Sequence, residues 1–547
     1  MPFPWVPFSP RTGLRGMVTA ADQLAASAGI GALERGGSAA DAAVAAAAVM
    51  AVTSPHLCGM GGDLLAMVCA PGSDPVALLA VGRAGSGADP ARLRSEGHSV
   101  MPLRGDARSV PAPGAVDGWL ALHDRFGRLP VAAVLEPAVA LAEEGYAASL
   151  LLALASHLIA DVSGAHELCP GGPLQPGQRV RLPGVARTLR TIGLEGRDGF
   201  YAGEFGRALV ELGDGVFAAR DLAVEFAHWC DPLSLEAWGH VLWTVPPPSQ
   251  GYLTLASAWI ADHAGLGADP SDPRWPHLVI EASRAAGHDR PSVLYDGADG
   301  PSLLSERRLV DAAARVRSDR TAPSDPVPPS VGDTGVRASR LGDGDTTHLC
   351  AIDADGLGVS LTQSNALDFG SHLVAGSTGI FVHNRGIGFS LVPGHPAELG
   401  PGRRPPHTLS PMLVTAPDRS LTHLVGAMGG DVQPQILLQL LARMLPGSQD
   451  PATALAAARL TLDAPSAGPF RLWWGEELVV RVESHALPGW HEGLADRGHQ
   501  VQTIGAFDPV SVGCAQVITV VRDGSDRTRR YVGAADPRSP DGATASR

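Results

Sequence analysis

Apolar positions along the chain fall into blocks separated by glycine- and proline-rich breaks, and the blocks change character near residue 345. Before that point they read mostly as helix. Residues 17–52 open with a short apolar run and turn strongly helical, with Gly36 and Gly37 as a break and Ser38 as the N-cap of an alanine-rich helix. The stretch SPHLCGMGGDLLAMVCA is a glycine turn feeding an apolar strand, and VALLAVGRAGSGADP is a strand ending in a loop that carries Arg83. VPAPGAVDGWLALHDRFGRLPVAAVLEPAVALAEEGY predicts two helices divided at Gly127–Pro130. Residues 150–317 read as helix and irregular structure in turn, including a proline loop, Pro246 to Pro248, running into a helix.

From 318 to 345 the chain is polar, rich in proline and aspartate, and without apolar period, the pattern of a mobile linker. Beyond it the period becomes two. HLCAIDA and LGVSLTQS flank the turn Asp353–Gly356 and predict a hairpin. That DADG turn lacks the third acidic position and distal glutamate of a calcium loop. STGIFVHN, TLSPMLVTA and THLVGAMGG predict further strands, and QPQILLQLLARML a helix. The last residues, PRSPDGATASR, read as a loose tail.

The 547 residues suffice for a large core, and 45% hydrophobic residues fit a soluble globular protein. A net charge of −14 argues against nucleic acid as a partner. The most apolar run, Ala39 to Val52, carries Asp41 and is too short for a bilayer, so no membrane role is expected. The beginning, MPFPWVPFSPRTGLRG, lacks the continuous apolar run of a signal peptide, and a cytoplasmic location is expected. The six cysteines are scattered, without a C-x-x-C pair, and read as buried structural residues in a reduced compartment. The chain contains no lysine, which excludes Schiff-base, P-loop and serine–lysine chemistry. No cofactor or metal motif is present, and none is expected.

There is no G-x-S-x-G elbow, no H-E-x-x-H and no G-x-G-x-x-G after a strand. What remains is hydroxyls, arginines and glycine turns. Thr346 and Thr347 stand where the linker meets the first β-patterned segment. An internal threonine is a poor nucleophile, but an N-terminal one carries its own base: an α-amine with a pKa of about 7.7–8.0. Cleavage of the Asp345–Thr346 bond, by attack of the Thr346 hydroxyl on the Asp345 carbonyl, would expose it. On local features alone, a strand that happens to begin with threonine is the stronger explanation of the pair.

TTHLCAIDADGLGVSLTQSN resembles the small-subunit start of the γ-glutamyltransferase family, in which the first threonine is the nucleophile. MVTAADQLAASAGIGALERGGSAADAAVAAAAVMAVTSPHLCGMGGDLLAMV, VPAPGAVDGWLALHDRFGRLP, PPPSQGYLTLAS, STGIFVHNRGIGFS, GRRPPHTLSPMLV, GAMGGDVQPQ and the final ADPRSPDG resemble further family blocks, in family order. The resemblance implies an α+β fold, the four-layer αββα sandwich of N-terminal-nucleophile hydrolases, in a self-processed precursor. It divides the chain into a large-subunit-like region, 1–317, a linker, 318–345, and a small-subunit-like region, 346–547, with the two fragments remaining associated. It implies a small-molecule amide as substrate.

By the same resemblance Thr346 is the nucleophile, Ser364 the hydroxyl bonded to it, and Gly429 and Gly430 the oxyanion-hole pair. Backbone donors of that kind are worth about 3–4 kcal/mol each. Arg83 aligns with the arginine that grips the substrate carboxylate. The chain also departs from the family. The block that usually holds the γ-glutamyl α-amine is His383 to Ser390 here, with Gly388 where the aspartate would be and Arg385 in place of a polar or acidic residue. His407 and Thr408 replace a pair of serines, and Ala366 replaces an asparagine, although Asn365 is adjacent. A cation repels an ammonium, so Arg83 with Arg385 favours an anionic acyl group. This is the character of acylase-like branches, both glutaryl acylase-like and oxamate amidohydrolase-like. True γ-glutamyl activity would instead place the amine on Asp431, Asn365 or a backbone carbonyl. A homologue that kept the fold as a non-catalytic binding protein is the reading from another class, and intact Thr346, Ser364, Gly429 and Gly430 speak against it.

Overall fold

The alanine-rich run forms one helix, Ala39–Thr53, in which every residue is buried. A helix apolar on all sides has no solvent face to offer and belongs inside a large core. Its start is fixed by a reciprocal cap: Ser38 Oγ accepts from Asp41 N at 3.2 Å, and Asp41 Oδ2 accepts from Ser38 N at 2.8 Å. Asp41 also accepts from Arg128 N at 2.8 Å, which ties the cap to the break between the next two helices, Ala115–Phe126 and Val131–Glu144. The computed structural model describes residues 8–323, 345–463, 478–522 and 529–547.

Two antiparallel sheets, each of seven strands among the described residues, lie face to face. The first runs Ala543–Ser546, Gly16–Ala20, Asp345–Asp353, Gly358–Ala366, Asp63–Cys69, Val76–Ala80, Ala227–Cys230. The second runs Arg11–Gly13, Arg529–Ala535, Cys514–Arg522, Leu421–Met428, Met412–Thr415, His240–Thr244, Leu233–Ala237. Period-two alternation divides each strand between two cores. In Asp63–Cys69 the residues Leu64, Ala66 and Val68 face the alanine helix, while Leu65, Met67 and Cys69 face the second sheet. Both faces are therefore apolar, which is why this strand reads as a continuous run. The second sheet packs its outer face on Tyr252–His263, Trp275–Gly287 and Gln433–Met444. The order helix, sheet, sheet, helix is the expected α+β sandwich.

The predicted hairpin is present, Asp345–Asp353 against Gly358–Ala366. Asp353 Oδ1 accepts the N–H groups of Asp355, Gly356 and Leu357, each at 3.0 Å, so this carboxylate serves the turn. Four expectations are corrected. The tail is not loose: Ala543–Ser546 is an edge strand on Gly16–Ala20, and Ser539 Oγ donates to Ala21 O at 3.0 Å. STGIFVHN yields only the two-residue strand Phe381–Val382, because Gly376 and Gly379 turn the backbone with φ of 55° and 69°. The middle region carries strands of both main sheets that its pattern hid: Ala227–Cys230 and Leu233–Ala237, at sheet edges and partly wet, and His240–Thr244, buried one place in from the edge. The first residues of the expected linker are packed: Ala322 N donates to Glu281 Oε2 at 2.8 Å and Thr321 N to Arg497 O at 2.7 Å. Residues 324–344, the remainder of that linker up to Asp345, lie outside the described residues. No helix of the described residues is long and apolar enough to cross a membrane.

Candidate active site

Thr346 sits one residue into its strand, where the ladder slips. Asp345 pairs with Ala366 and Thr347 with Gln363, so Thr346 alone stands against Ser364 and Asn365. A bulge of this kind re-aims side chains. The slip continues into Ala366, a non-glycine residue at φ 79°, whose N–H donates to Ser364 Oγ at 2.9 Å. Such backbone costs on the order of 1–3 kcal/mol and tends to gather at functional sites. Thr346 is 1% exposed, and its hydroxyl donates to Ser364 Oγ at 3.0 Å. The two hydroxyls that the resemblance pairs are therefore in contact.

Arg385 is brought to the same point. Its Nη2 donates to Ser364 Oγ at 3.1 Å and its Nη1 to Thr408 Oγ1 at 3.1 Å. Arg385, Ser364, Thr346 and Thr408 thus form one connected set. The guanidinium is 2% exposed, and its Nε–H has no partner among the described residues. Burial pushes its pKa down to about 10, against the attraction of Asp63 and Asp431 and with the repulsion of Arg290. It remains a cation at neutral pH.

Gly429 and Gly430 follow the strand Leu421–Met428 with φ of 142° and 53°, conformations that favour glycine. They lead directly into Gln433–Met444, placing the turn at a helix N-terminus, where N–H groups and dipole both suit negative charge. Gln250 fixes this turn: its Nε2 donates to Gly430 O at 3.0 Å and to Thr408 O at 3.1 Å. The glycine pair and the Thr408 segment are hence held by one amide.

Other predicted residues stand differently. Asp431 is already paired, with Arg290 Nη2 at 2.8 Å. Asn365 donates through Nδ2 to Pro55 O at 3.1 Å, and its buried Oδ1 has no partner among the described residues. Arg83 is half-buried and donates to Gly402 O at 3.1 Å, with Arg404 and Asp296 as its charged neighbours. It makes no contact with Thr346, Ser364 or Arg385 among the described residues. His407 is fully buried and faces protein: its Nδ1 accepts from Leu409 N at 3.3 Å, so Nε2 carries the proton and donates to Asp63 Oδ2 at 3.1 Å.

Asp63 is the residue that sequence reasoning missed. Its Oδ1 accepts from Gly82 N at 2.8 Å and Gly114 N at 3.1 Å, and its Oδ2 lies 3.5 Å from His383 Nδ1 as well as facing His407. One carboxylate therefore gathers the segments that carry Arg83, Arg385 and Thr408, and it stands opposite Ser364 in the sheet. Burial opposes its charge, but His383, His407 and the Gly82 N–H outweigh burial and hold its pKa down to about 2. Burial lowers His407 to about 4 and also lowers His383, so both imidazoles stay neutral at neutral pH. A signal existed in CGMGGDLL, where an acid interrupts a glycine turn and an apolar strand. The cysteines offer no competing nucleophile: burial raises Cys58 to about 12 and Cys69, Cys169 and Cys230 to about 11, and raises Cys350 and Cys514 further.

The chain compares closely with known proteins over its whole length. It is 33% identical to an oxamate amidohydrolase proenzyme from Klebsiella pneumoniae, over 97% of this chain and 98% of that one. It is 32% identical to the glutathione hydrolase-like YwrD proenzyme of Bacillus subtilis, with the same coverage. The cephalosporin acylase from Bacillus halodurans superposes with a TM-score of 0.87 at 29% identity, covering 100% of this chain and 98% of that one. The gamma-glutamyltranspeptidase family model matches residues 25–546. With fold, sequence and relatives in agreement, the chain belongs to the gamma-glutamyltranspeptidase family and is an enzyme of amide bonds.

Proposed function

We propose that this protein is a self-processing amidohydrolase in which Thr346 becomes an N-terminal nucleophile and attacks small amides with an anionic acyl group. The observation that carries this reading is the contact chain Thr346–Ser364–Arg385, which puts a buried cation two hydrogen bonds from the attacking oxygen.

Processing begins when Thr346 Oγ1 attacks the Asp345 carbonyl carbon. The C–N bond breaks, the hydroxyl proton passes to the departing nitrogen, and an ester remains. Water hydrolyses that ester, leaving an Asp345 carboxylate and a free Thr346 α-amine. Both sheets contain strands from either side of residue 346, so the fragments 1–345 and 346–547 stay interleaved after the cut. In turnover the α-amine takes the Thr346 hydroxyl proton and gives it to the leaving nitrogen of the substrate. The N–H groups of Gly429 and Gly430 receive the oxyanion. Water then releases the acid from the acyl-enzyme, and the nucleophile is restored.

Substrate preference follows from charge. Gly388 supplies no carboxylate, and Asp431 is engaged by Arg290, so neither position offers an α-ammonium a free anion while Arg385 repels it. An acyl carboxylate is attracted instead, and Arg385 suits one close to the scissile carbonyl. Relatives named as an oxamate amidohydrolase and acylases agree with that direction. A specific observation favours the alternative of true γ-glutamyl hydrolysis: the unpartnered Asn365 Oδ1 is an acceptor that could hold the amine. Paired rates on γ-glutamyl anilide and glutaryl anilide, which differ only by the amine, decide between them. Faster glutaryl release, with oxamate cleaved faster still, is expected. Strict dependence on the amine would establish the alternative.

A further inference from the structure

The structure assigns Arg385 a task beyond holding substrate: through the Ser364 hydroxyl it is a positioning residue that sets the protonation of the nucleophile. The inference rests on the reading that Thr346 becomes N-terminal.

The geometry comes first. Ser364 Oγ receives Arg385 Nη2–H at 3.1 Å, Ala366 N–H at 2.9 Å and the Thr346 hydroxyl at 3.0 Å. An oxygen crowded by a guanidinium and a backbone donor is electron-poor. Its own proton becomes more acidic, and it supports negative charge on its neighbour better than a lone serine. As the Thr346 oxygen loses its proton, Ser364 turns to donate toward it, and the positive charge of Arg385 is felt across that single hydroxyl. The other anchor, Thr408 Oγ1 on Nη1, keeps the guanidinium plane from swinging away.

The same charge acts on the α-amine that the cut creates. A cation a few ångströms away disfavours the ammonium form and favours the free base. The free base is the form that accepts the hydroxyl proton, so Arg385 widens the pH range in which Thr346 is active. The surrounding charges do not cancel this. Asp63 and Asp431 attract Arg385 and keep it cationic; Asp431 is itself ion-paired with Arg290, and the Asp63 carboxylate is engaged by the Gly82, Gly114 and His407 donors rather than by the Thr346–Ser364 pair. His383 and His407 stay neutral beside the guanidinium. Along the nucleophile strand the nearest titratable described side chain is His348, held neutral by burial with a pKa of about 3. Arg385 is a charge in direct contact with the Thr346–Ser364 pair.

The absence of lysine makes this measurable without a substrate. After the cut, the α-amines are those of Thr346 and of the first residue of the chain, and no ε-amine competes. Trace reductive methylation across pH 5–10, read on the peptide that begins at Thr346 and referenced to the first residue, reports the Thr346 amine directly. In the wild type it is expected to titrate well below the reference. In Arg385→Gln it should move up by about one pH unit. Arg385→Lys should stay near the wild type, its introduced amine being read on a separate peptide. Identical titrations in wild type and Arg385→Gln, with only the substrate KM altered, would overturn the inference and leave Arg385 a substrate-binding residue. Should Arg385→Gln fold yet stay uncut, the rate of appearance of the Thr346 amine is compared in Arg385→Lys. A lysine variant that cuts as the wild type does supports a role for charge; one as inert as Arg385→Gln overturns it. If the wild type yields no Thr346 amine at all, the parent reading fails instead.

Discussion

Among the buried arginines of the described residues, two are treated in opposite ways. Arg538 donates every N–H it has: Nε to Glu483 Oε1 at 3.0 Å, Nη1 to Leu455 O at 2.7 Å and Asp536 Oδ1 at 3.1 Å, Nη2 to Ala457 O at 2.9 Å and to Glu483 Oε2. Burial opposes its charge, but Asp536 and Glu483 prevail and its pKa is raised. Arg385 touches two hydroxyls, leaves Nε–H unpaired among the described residues, and has its pKa lowered to about 10. A buried donor without a partner costs about 1–3 kcal/mol. The orphan donor alone does not mark the site, since Arg459 beside Asp536 also leaves its Nε–H without a partner among the described residues. What sets Arg385 apart is that its partners are hydroxyls, one of them bonded to Thr346, with no carboxylate in contact among the described residues. The difference teaches where to look for function: not at buried charge as such, but at buried charge that contacts a candidate nucleophile's partner instead of a carboxylate.

Breaking each arginine tests that contrast. Arg538→Met strands Glu483 and Asp536 and should lower unfolding stability by about 3–5 kcal/mol, read from denaturant midpoints. Arg385→Met should cost little or no stability while lowering kcat/KM on the order of a hundredfold. Equal destabilisation by the two would erase the distinction. Asp63→Asn sharpens it from the anionic side. The amide keeps the shape but removes the charge that supports Arg385 and sets an N–H against the His407 donor. A loss of about 3 kcal/mol is expected, together with slower cutting, and a variant as stable and active as wild type would remove Asp63 from the account.

Acid should undermine the catalytic side. His407 has a folded pKa of about 4, and His56, His348 and His423 of about 3, all lowered chiefly by burial from 6.5. The unfolded chain therefore binds protons below pH 6.5 that the native one refuses. Stability is full above 6.5 and falls as pH drops toward 4, by up to about 1.4 kcal/mol per unit for each imidazole. Asp63 adds to the trend, since its folded pKa of about 2 lies below the ordinary 3.8 and its contribution is lost as pH falls through that window. Proton uptake on unfolding at pH 5, measured by calorimetry in two buffers, checks the sign. The smallest effect concerns backbone: Ala366→Gly relieves φ 79° and should stabilise by up to about 1 kcal/mol without altering the cut site.

Much of this was legible in the sequence. The alanine helix with its Ser38 cap, the hairpin after Thr346 and the glycine pair before Gln433–Met444 all follow from period, caps and turns, and all are present. What escaped has physical reasons. The edge strands Ala227–Cys230 and Leu233–Ala237 are partly wet, so no apolar period marks them. The C-terminal strand is polar because its partner, Gly16–Ala20, supplies the buried face. Asp63 shows in the sequence only as an acid between a glycine turn and an apolar strand, and Gln250 not at all: each acts on segments more than a hundred residues away, through hydrogen bonds that only the folded sheets create. Family resemblance brought Arg385 to notice as a departure. Its contact with Ser364, and the loss of Asp431 to Arg290, needed coordinates.

The central claim is that Thr346 becomes the first residue of a fragment. Intact mass and N-terminal sequencing of the purified wild type after a day at neutral pH, beside Thr346→Ala, test it most directly. The account predicts two wild-type fragments, the smaller beginning Thr-Thr-His, and a single uncut, inactive chain for the variant. A single uncut wild-type chain that still hydrolyses amides, or a cut at another bond that Thr346→Ala does not prevent, would contradict it.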